Sequence, residues 1–438
     1  MDYEEALNWI HSTYRFGSQL GLERISVLLD LLGRPQDSGR FVHVAGTNGK
    51  GSVTAMVASI LKEAGYRTGT YTSPHLEDFR ERIRLGGRKI GKEEVAELVP
   101  RVKAQVERMM SAGYPHPTEF EIVTAMAFLY FKESGCDWVS LEVGLGGRFD
   151  ATNVVTPAVS VITPVSLDHT DRLGNTLGEI AFEKAGIIKP GVPVVVAPQP
   201  PEALAVILDR ARALGCRVML VGEDISWRVE AESIRGQEIQ VVAGRTELGR
   251  LFVPLAGPHQ AVNAATAVAV ARILTESGAE IGWETIKAGI ARTRWPGRLE
   301  VVAERPLVIL DGAHNPGGAA ALVRSLPLIP RRKLISVVGM LKDKDYRQVL
   351  SQVLHFCDVV VATSPVSERA LDAGVLAEEA SKYCSDVTVA GNVKDALELS
   401  LQRASSEDAV LIWGSLYLVG AARMLLREKL GILLDEDE

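Results

Sequence analysis

The segment Gly46-Thr47-Asn48-Gly49-Lys50-Gly51-Ser52 brings together permissive backbone, one cation and two hydroxyls, a combination suited to holding phosphate oxygens. It leaves an apolar, β-prone run, Phe41-Val42-His43-Val44-Ala45, and enters a stretch where Val53, Met56, Val57, Ile60, Leu61 and Ala64 recur at helical spacing. Strand, glycine turn and helix in that order let backbone N–H groups converge on a polyphosphate at a helix N-terminus, with Lys50 reaching the β and γ oxygens. The usual nucleotide loop reads G-x-x-x-x-G-K-[ST]; here Val44 stands at its first glycine, and Gly51 delays the hydroxyl to Ser52. Magnesium would then draw part of its ligands from elsewhere in the chain. A glycine turn that merely lets a helix pack close to a sheet is the competing reading, and the aligned Lys50 favours phosphate.

Open parallel sheets bind ligands beyond the carboxyl ends of their strands, so polar residues after apolar runs are the next candidates. Ser73 follows the run Thr68–Thr72, Glu142 closes Asp137–Val143 ahead of the glycine-rich Gly144–Asn153, and Asp168-His169 follow Pro157–Thr163. Lys184 lies in Glu183-Lys184-Ala185-Gly186 at the end of a helix predicted over Leu177–Ala185. A hydroxyl, a carboxylate and an imidazole near triphosphate can complete a magnesium shell. Each also has a plainer role: Ser73 as a turn residue before Pro74, Glu142 as a solvated charge, His169 as an ordinary hydrogen-bonded histidine. Farther on, Asp311-Gly312-Ala313-His314-Asn315-Pro316 follows the apolar run Leu307–Leu310. Asn315 and Pro316 suit a helix start, a role that requires neither Asp311 nor His314.

The elements that must position these residues alternate between strand and helix, as in a mostly parallel sheet covered by helices. Helices are predicted over Lys92–Ser111, Phe120–Glu133, His259–Ser277 and Trp283–Ala291, and a strand over Pro193–Ala197. Between Ser226 and Pro254, short alternating runs such as Glu238–Val242 and Arg250–Val253 predict an antiparallel excursion at the edge of the first domain. Pro and Gly in Thr293–Arg298 mark a break, dividing the chain into residues 1–295 and 296–438. Beyond it, strands are predicted over Leu307–Leu310, Lys333–Val338, Asp358–Ala362, Asp386–Val389 and Ala409–Trp413, with a last helix over Leu416–Leu430. The expected class is α/β: an N-terminal P-loop parallel-sheet ATPase domain with a small antiparallel excursion, and a C-terminal Rossmann-like open-sheet domain. The acidic tail Asp435–Glu438 is expected to be disordered.

Composition sets the remaining bounds. The chain has 438 residues, 47% of them hydrophobic and 24% charged, in keeping with a globular enzyme of more than one domain. Its net charge of -7 argues against coating nucleic acid, although a local basic patch remains open. No apolar run is long enough for a membrane span, and the acidic start Met1–Glu5 does not resemble a secretory signal, so a cytoplasmic location is expected. Cys136, Cys216, Cys357 and Cys384 are scattered without metal spacing and read as buried small hydrophobes.

With these motifs together, the chain resembles the folylpolyglutamate synthase and dihydrofolate synthase family within the wider Mur-ligase group of ATP-dependent amide-forming enzymes. The resemblance runs in order through Gly46–Ser52, Thr72–Leu76, Glu142–Arg148, Glu183–Gly186, His259-Gln260 with Asn263, Trp295–Arg298 and Asp311–Asn315. It implies that Gly49, Lys50, Gly51 and Ser52 hold ATP phosphates, that Asn263, Arg298 and Asp311 contact ATP, and that Ser73, Glu142 and His169 ligate magnesium. It further implies that Lys184 is carbamylated and serves a second magnesium; an unmodified lysine in a phosphate site is the alternative. Thr118, Glu119, Phe120 and Glu121, with Phe149, Asp150 and Ala151, correspond to a pteroate-binding surface, where Phe120 and Phe149 either stack on a flat pterin or pack in the core. The implied reaction joins L-glutamate to a reduced folate or to dihydropteroate through an acyl phosphate, with Lys50 and magnesium, helped by His314, meeting the accumulating negative charge. A monomer is expected. A Mur-type or cyanophycin-type amino-acid ligase and a nucleotide-hydrolysing switch are the other readings; Gly51-Ser52 directs the choice to the folate branch.

Overall fold

The computed structural model describes residues 1–17 and 19–430, so the acidic tail lies outside the described residues. Eight strands form the first sheet: β1 (Arg40–Ala45), β2 (Thr68–Tyr71), β3 (Ile83–Leu85), β4 (Arg88–Lys89), β5 (Trp138–Glu142), β6 (Val159–Ile162), β7 (Val194–Val196) and β8 (Val218–Leu220), in the order β4-β3-β2-β5-β1-β6-β7-β8. From β2 to β8 every neighbouring pair is parallel, while β3 and β4 add an antiparallel hairpin that the sequence reading did not include.

The phosphate segment leaves β1, which lies between β5 and β6 with Val44 opposite Glu142 and Ala45 opposite Ile162. Four adjacent strands, β2, β5, β1 and β6, therefore point their carboxyl ends at one place, and Ser73, Glu142, Lys50 and His169 all follow or close those strands. Both faces of the sheet are covered. The helices Lys50–Glu63, Pro258–Glu276 and Trp283–Ala291 share a core with Val42, Val44 and Val161. The opposite face carries Tyr3–Ser12, Glu23–Leu31, Lys92–Ser111 and Glu119–Glu133 against Phe41, Tyr71 and Leu141. Burying each large aliphatic side chain here contributes about 1.5–3 kcal/mol, so the helix behind the phosphate segment is anchored chiefly by Val53, Met56, Val57, Ile60 and Leu61.

The antiparallel excursion is a sheet of its own, not an extension of the first. Strands β9 (Ile225–Ser233), β10 (Gly236–Ala243) and β11 (Thr246–Val253) pair in the order β11-β10-β9, and their Ile239, Val241 and Leu251 pack into the core formed with the helices Pro258–Glu276 and Trp283–Ala291. The second lobe holds β12 (Glu300–Glu304), β13 (Leu307–Asp311), β14 (Leu334–Val338), β15 (Val359–Ala362), β16 (Val387–Val389) and β17 (Ala409–Trp413), ordered β12-β13-β17-β14-β15-β16. All its pairs are parallel except β12 with β13. The antiparallel β12 escaped the sequence reading because Glu300–Glu304 is only half apolar and follows directly on the linker.

Candidate active site

A cleft between the lobes, about 210 Å³, is lined by the phosphate segment, Ser73, Glu142, Asp168, His169, Lys184 and Asn263 from one side and by Arg298, Asp311 and His314 from the other. All the residues proposed from sequence for phosphate, metal and second-lobe ATP contacts thus share one space.

Two glycines of the phosphate segment are required sterically. Gly49 sits at φ +86°, and a Cβ on it would come 2.5 Å from Oδ1 of Asn263, which is itself held by a hydrogen bond to Gln260. A Cβ on Gly51 would lie 2.5 Å from the indole of Trp295. The displaced hydroxyl of this loop therefore has a packing cause: the linker tryptophan occupies the space beside residue 51.

Lys50 donates to the Thr47 carbonyl at 3.3 Å, an interaction readily exchanged for phosphate. Lys184 is buried and donates to the Gly46 carbonyl at 2.8 Å. Burial, reinforced by the nearby Lys50 charge, lowers its ammonium to about 7, so an uncharged amine is accessible near neutrality. Glu142 is buried at the end of β5, where its Oε2 accepts from the Ser73 amide at 3.2 Å. Burial pushes its carboxyl up to about 7 against the pull of Lys50.

A buried carboxylate beside a hydroxyl, next to a phosphate segment, fits a hard divalent cation. Among the described residues no three His, Cys, Asp or Glu side chains converge as a metal cluster, so such an ion would take its other ligands from phosphate and water, as magnesium prefers. His169, at φ +51°, accepts through Nε2 from the Lys344 ammonium at 3.2 Å, so Nδ1 of the neutral ring carries the hydrogen and a metal at His169 would take the Nε2 lone pair in place of Lys344. Burial and Lys344 lower the His169 imidazolium to about 4.

The second lobe contributes a network that the sequence reading missed. Lys344 donates to Oδ1 of Asp168 at 2.6 Å, and Asn315 donates to its Oδ2 at 2.8 Å. Burial alone would raise the Asp168 carboxyl, but Lys344, His314 and His169 together hold it well below the usual range. Asn315 also exchanges amide hydrogen bonds with Asn48 of the phosphate segment at 3.2 and 3.3 Å while capping the helix Pro316–Ser325. Lys344 belongs to the run Lys342-Asp343-Lys344-Asp345, which by pattern reads as a solvated turn. Only its placement after β14 carries it to the cleft.

Asp311 accepts from the amides of Leu299 and Ala313 at 2.9 and 2.8 Å, tying the linker to the second sheet, and burial raises its carboxyl. His314 pairs through Nδ1 with the Gly312 carbonyl at 2.7 Å. A carbonyl only accepts, so Nδ1 carries the hydrogen and Nε2 of the neutral ring keeps its lone pair. Burial and Lys344 lower this imidazolium to about 4. His314 is accordingly neutral near pH 7.

The surface expected for pteroate does not line this cleft. Thr118 caps the helix Glu119–Glu133, and Glu121 completes the cap while pairing with buried Arg24 at 3.1 Å. Glu119 accepts from Arg82 at 3.2 Å. Asp150 accepts from the amides of Leu145 and Thr152, which shapes the glycine-rich loop, and Ala151 is buried. Phe120 packs where a Cβ on Gly144 would fall, so it borders the cleft through that glycine. Phe149 lies at the surface, 36% exposed, under the Arg148 guanidinium.

A phosphate segment facing a second open sheet across a linker defines the two-lobed Mur-type ligases, and sequence comparison agrees. Residues 44–271 match the Mur ligase middle domain and residues 297–416 the Mur ligase glutamate ligase domain. The dihydrofolate synthase/folylpolyglutamate synthase of Bacillus subtilis is 40% identical over 97% of this chain and 99% of that protein. The folylpolyglutamate synthase of Lacticaseibacillus casei is 36% identical over 97% and 99%. Among solved structures, Mycobacterium tuberculosis folylpolyglutamate synthase complexed with ADP superposes with a TM-score of 0.90 at 35% identity, covering 97% of this chain and 99% of that one. Escherichia coli FolC in complex with DHPP and ADP gives 0.87 at 33% identity, covering 97% and 98%. The chain belongs to the dihydrofolate synthase/folylpolyglutamate synthase family of ATP-dependent ligases.

Proposed function

We propose that this protein joins L-glutamate to folates at the expense of ATP, acting on dihydropteroate as well as on reduced folates. The observation that carries the reading is the common cleft of Lys50, Glu142 and Lys184 with Arg298, Asp311 and His314. The names of the family members above support it, as does the E. coli relative's complex with DHPP and ADP.

The folate carboxylate attacks the γ-phosphorus of ATP, forming an acyl phosphate and releasing ADP; the glutamate amine then attacks the acyl carbon and expels phosphate. Lys50 binds the β and γ oxygens, and the amides at the start of the helix Lys50–Glu63 face the same charge. Ser73, Glu142 and His169 would hold magnesium, which when bound would neutralise part of the phosphate charge. The glutamate ammonium gives up a proton to solvent, and Nε2 of the neutral His314 accepts a hydrogen bond from the resulting amine and orients it for attack. Lys184 takes up carbon dioxide as a carbamate: the Nζ–C bond forms, a proton leaves to solvent, and the new oxygens suit a second magnesium. Phe120 and Phe149 hold the pterin outside the cleft, with Thr118, Glu119, Glu121, Asp150 and Ala151 building that surface. The lobes divide at Trp295/Pro296, and the protein acts as a monomer.

ADP release measured with L-glutamate and either dihydropteroate or tetrahydrofolate tests the reading. Turnover is expected with both acceptors. Turnover that instead requires a peptidoglycan precursor would move the protein to another Mur branch. Intact mass of the native protein, with bicarbonate rescue after carbon dioxide removal, tests the carbamate.

A further inference from the structure

Strand β1 alternates between the two faces of its sheet. Val42 and Val44 pack with the helix that follows the phosphate segment, while Phe41 faces the layer that contains the helix Glu119–Glu133. By the same alternation His43 falls on the Phe41 face, opposite Leu141, and it is completely buried in a strand whose other inner residues are apolar. Burial, reinforced by the nearby Lys189 charge, lowers its imidazolium to about 3, so the ring is neutral. A neutral imidazole is costlier to bury than a leucine unless its nitrogens are hydrogen-bonded. The bond it makes is to another buried polar group: Nε2 lies 2.8 Å from Oγ1 of Thr152, in the single 3-10 turn Ala151–Val154.

The hydroxyl has a second partner. Thr152 Oγ1 donates its single hydrogen to Oδ1 of Asp150, so towards His43 it can only accept; Nε2 therefore carries the ring hydrogen and Nδ1 the lone pair. Oδ1 of Asp150 also accepts from the Thr152 amide at 3.0 Å, and Oδ2 accepts from the Leu145 amide at 2.9 Å. A directional chain, His43 to Thr152 to Asp150 and on to Leu145, thus links β1 to the glycine-rich loop. Gly144, Leu145 and Gly146 of that loop line the reaction cleft, and a Cβ on Gly144 would fall 2.5 Å from Phe120. None of these bonds is made to the segment Gly46–Ser52. We infer that His43 and Thr152 are positioning residues for the folate acceptor: they fix the Asp150 carboxylate, which holds the loop at Gly144–Leu145 against Phe120 and so sets the pterin end relative to the cleft. The inference rests on the folate–glutamate reading above.

The test uses His43→Leu and Thr152→Val, which keep the volume and cut the chain, and His43→Gln, whose side-chain amide can donate where Nε2 does. In the first two, the KM for dihydropteroate and for tetrahydrofolate should rise alike, by about tenfold, with the KM for ATP within about twofold of the wild type. Combining them should raise the acceptor KM no further, because both interrupt one chain. His43→Gln should return it to within about threefold of the wild type. An ATP KM that rises in step with the acceptor KM overturns the inference, as does an unchanged acceptor KM or a His43→Gln no better than His43→Leu. Should His43→Leu fail to fold, Thr152→Val carries the same comparison. Nitrogen NMR of imidazole-labelled protein at pH 7 reads the chain without any folate. His43 should carry its hydrogen on Nε2, with that resonance moved by Thr152→Val; a hydrogen on Nδ1 overturns the chain even where folates are turned over normally. Absence of wild-type turnover with every folate, with the NMR signature intact, instead refutes the activity assigned above and the acceptor with it.

Discussion

The ammonium of Lys344 lies 2.6 Å from Oδ1 of Asp168, joining residues 176 positions apart and bridging the two lobes at the reaction cleft. Both side chains are nearly buried, at 7% and 10% exposure, so neither charge is well solvated without the other. Asp168 in turn receives Asn315, which reaches Asn48 in the phosphate segment. The contact between the lobes is thereby connected to the loop proposed to hold phosphate.

Breaking this bridge from one side leaves a buried charge, which typically costs about 3–5 kcal/mol, whereas removing both partners costs less. Lys344→Met and Asp168→Asn should each destabilise the protein, and the double variant should be less destabilised than the sum. A coupling of about 1–3 kcal/mol in denaturant titrations is the expected result. Additive effects would show that the bridge has no energetic role.

Gly51→Ala places a methyl group 2.5 Å from the Trp295 indole, too close for either to stay in place. Affinity for ATP should fall by about tenfold or more, corresponding to about 1.4 kcal/mol per decade, with a change in Trp295 fluorescence. Combining it with Trp295→Ala should recover part of the nucleotide affinity. Unchanged affinity and fluorescence in Gly51→Ala would show that the indole is not packed on the loop.

Glu142 illustrates a conflict between stability and activity. Its folded carboxyl titrates at about 7, above the ordinary value near 4.5, because burial disfavours the charge. Between those values the folded state binds more protons than the unfolded one, so this group's contribution to stability falls as pH rises from about 4.5 through 7. Glu142→Gln should therefore be at least as stable as the wild type at pH 8 without magnesium, yet lose about a hundredfold or more in turnover. Thermal melts paired with ADP release check both halves, and a marked loss of stability would contradict the burial argument.

Lys184 has the opposite sign. Its ammonium titrates at about 7 in the fold against about 10.5 when unfolded, so between those values the unfolded chain holds the extra proton. In carbon dioxide-free buffer, the stability of the wild type relative to Lys184→Met should rise with pH from 7 towards 10. A flat difference across that range would mean that Lys184 stays charged in the fold.

Most of the architecture was legible because its signals are local. Helix boundaries such as Lys92–Ser111 and Trp283–Ala291 follow from apolar spacing, and the strands leading to Ser73, Glu142 and His169 are short runs rich in β-branched and aromatic residues. The short hairpin β3–β4 and the edge strand β12 were not, since two to five half-polar residues carry little periodicity and are held by their neighbours.

The same division holds at the site. By itself the sequence determined that a phosphate segment with Lys50 leaves a buried strand, that Glu142 and Asp311 end strands, and that Arg298 sits in a linker, because each is a statement about neighbours along the chain. Tertiary structure alone decided that Lys344 meets Asp168, that Trp295 excludes a side chain at Gly51, and that hydrogen bonding to Gly312 leaves Nε2 of neutral His314 as a hydrogen-bond acceptor. It also decided that Lys184 becomes a buried, readily neutral amine. Those properties depend on burial and on the close approach of distant segments. Neither is encoded in residue type or spacing.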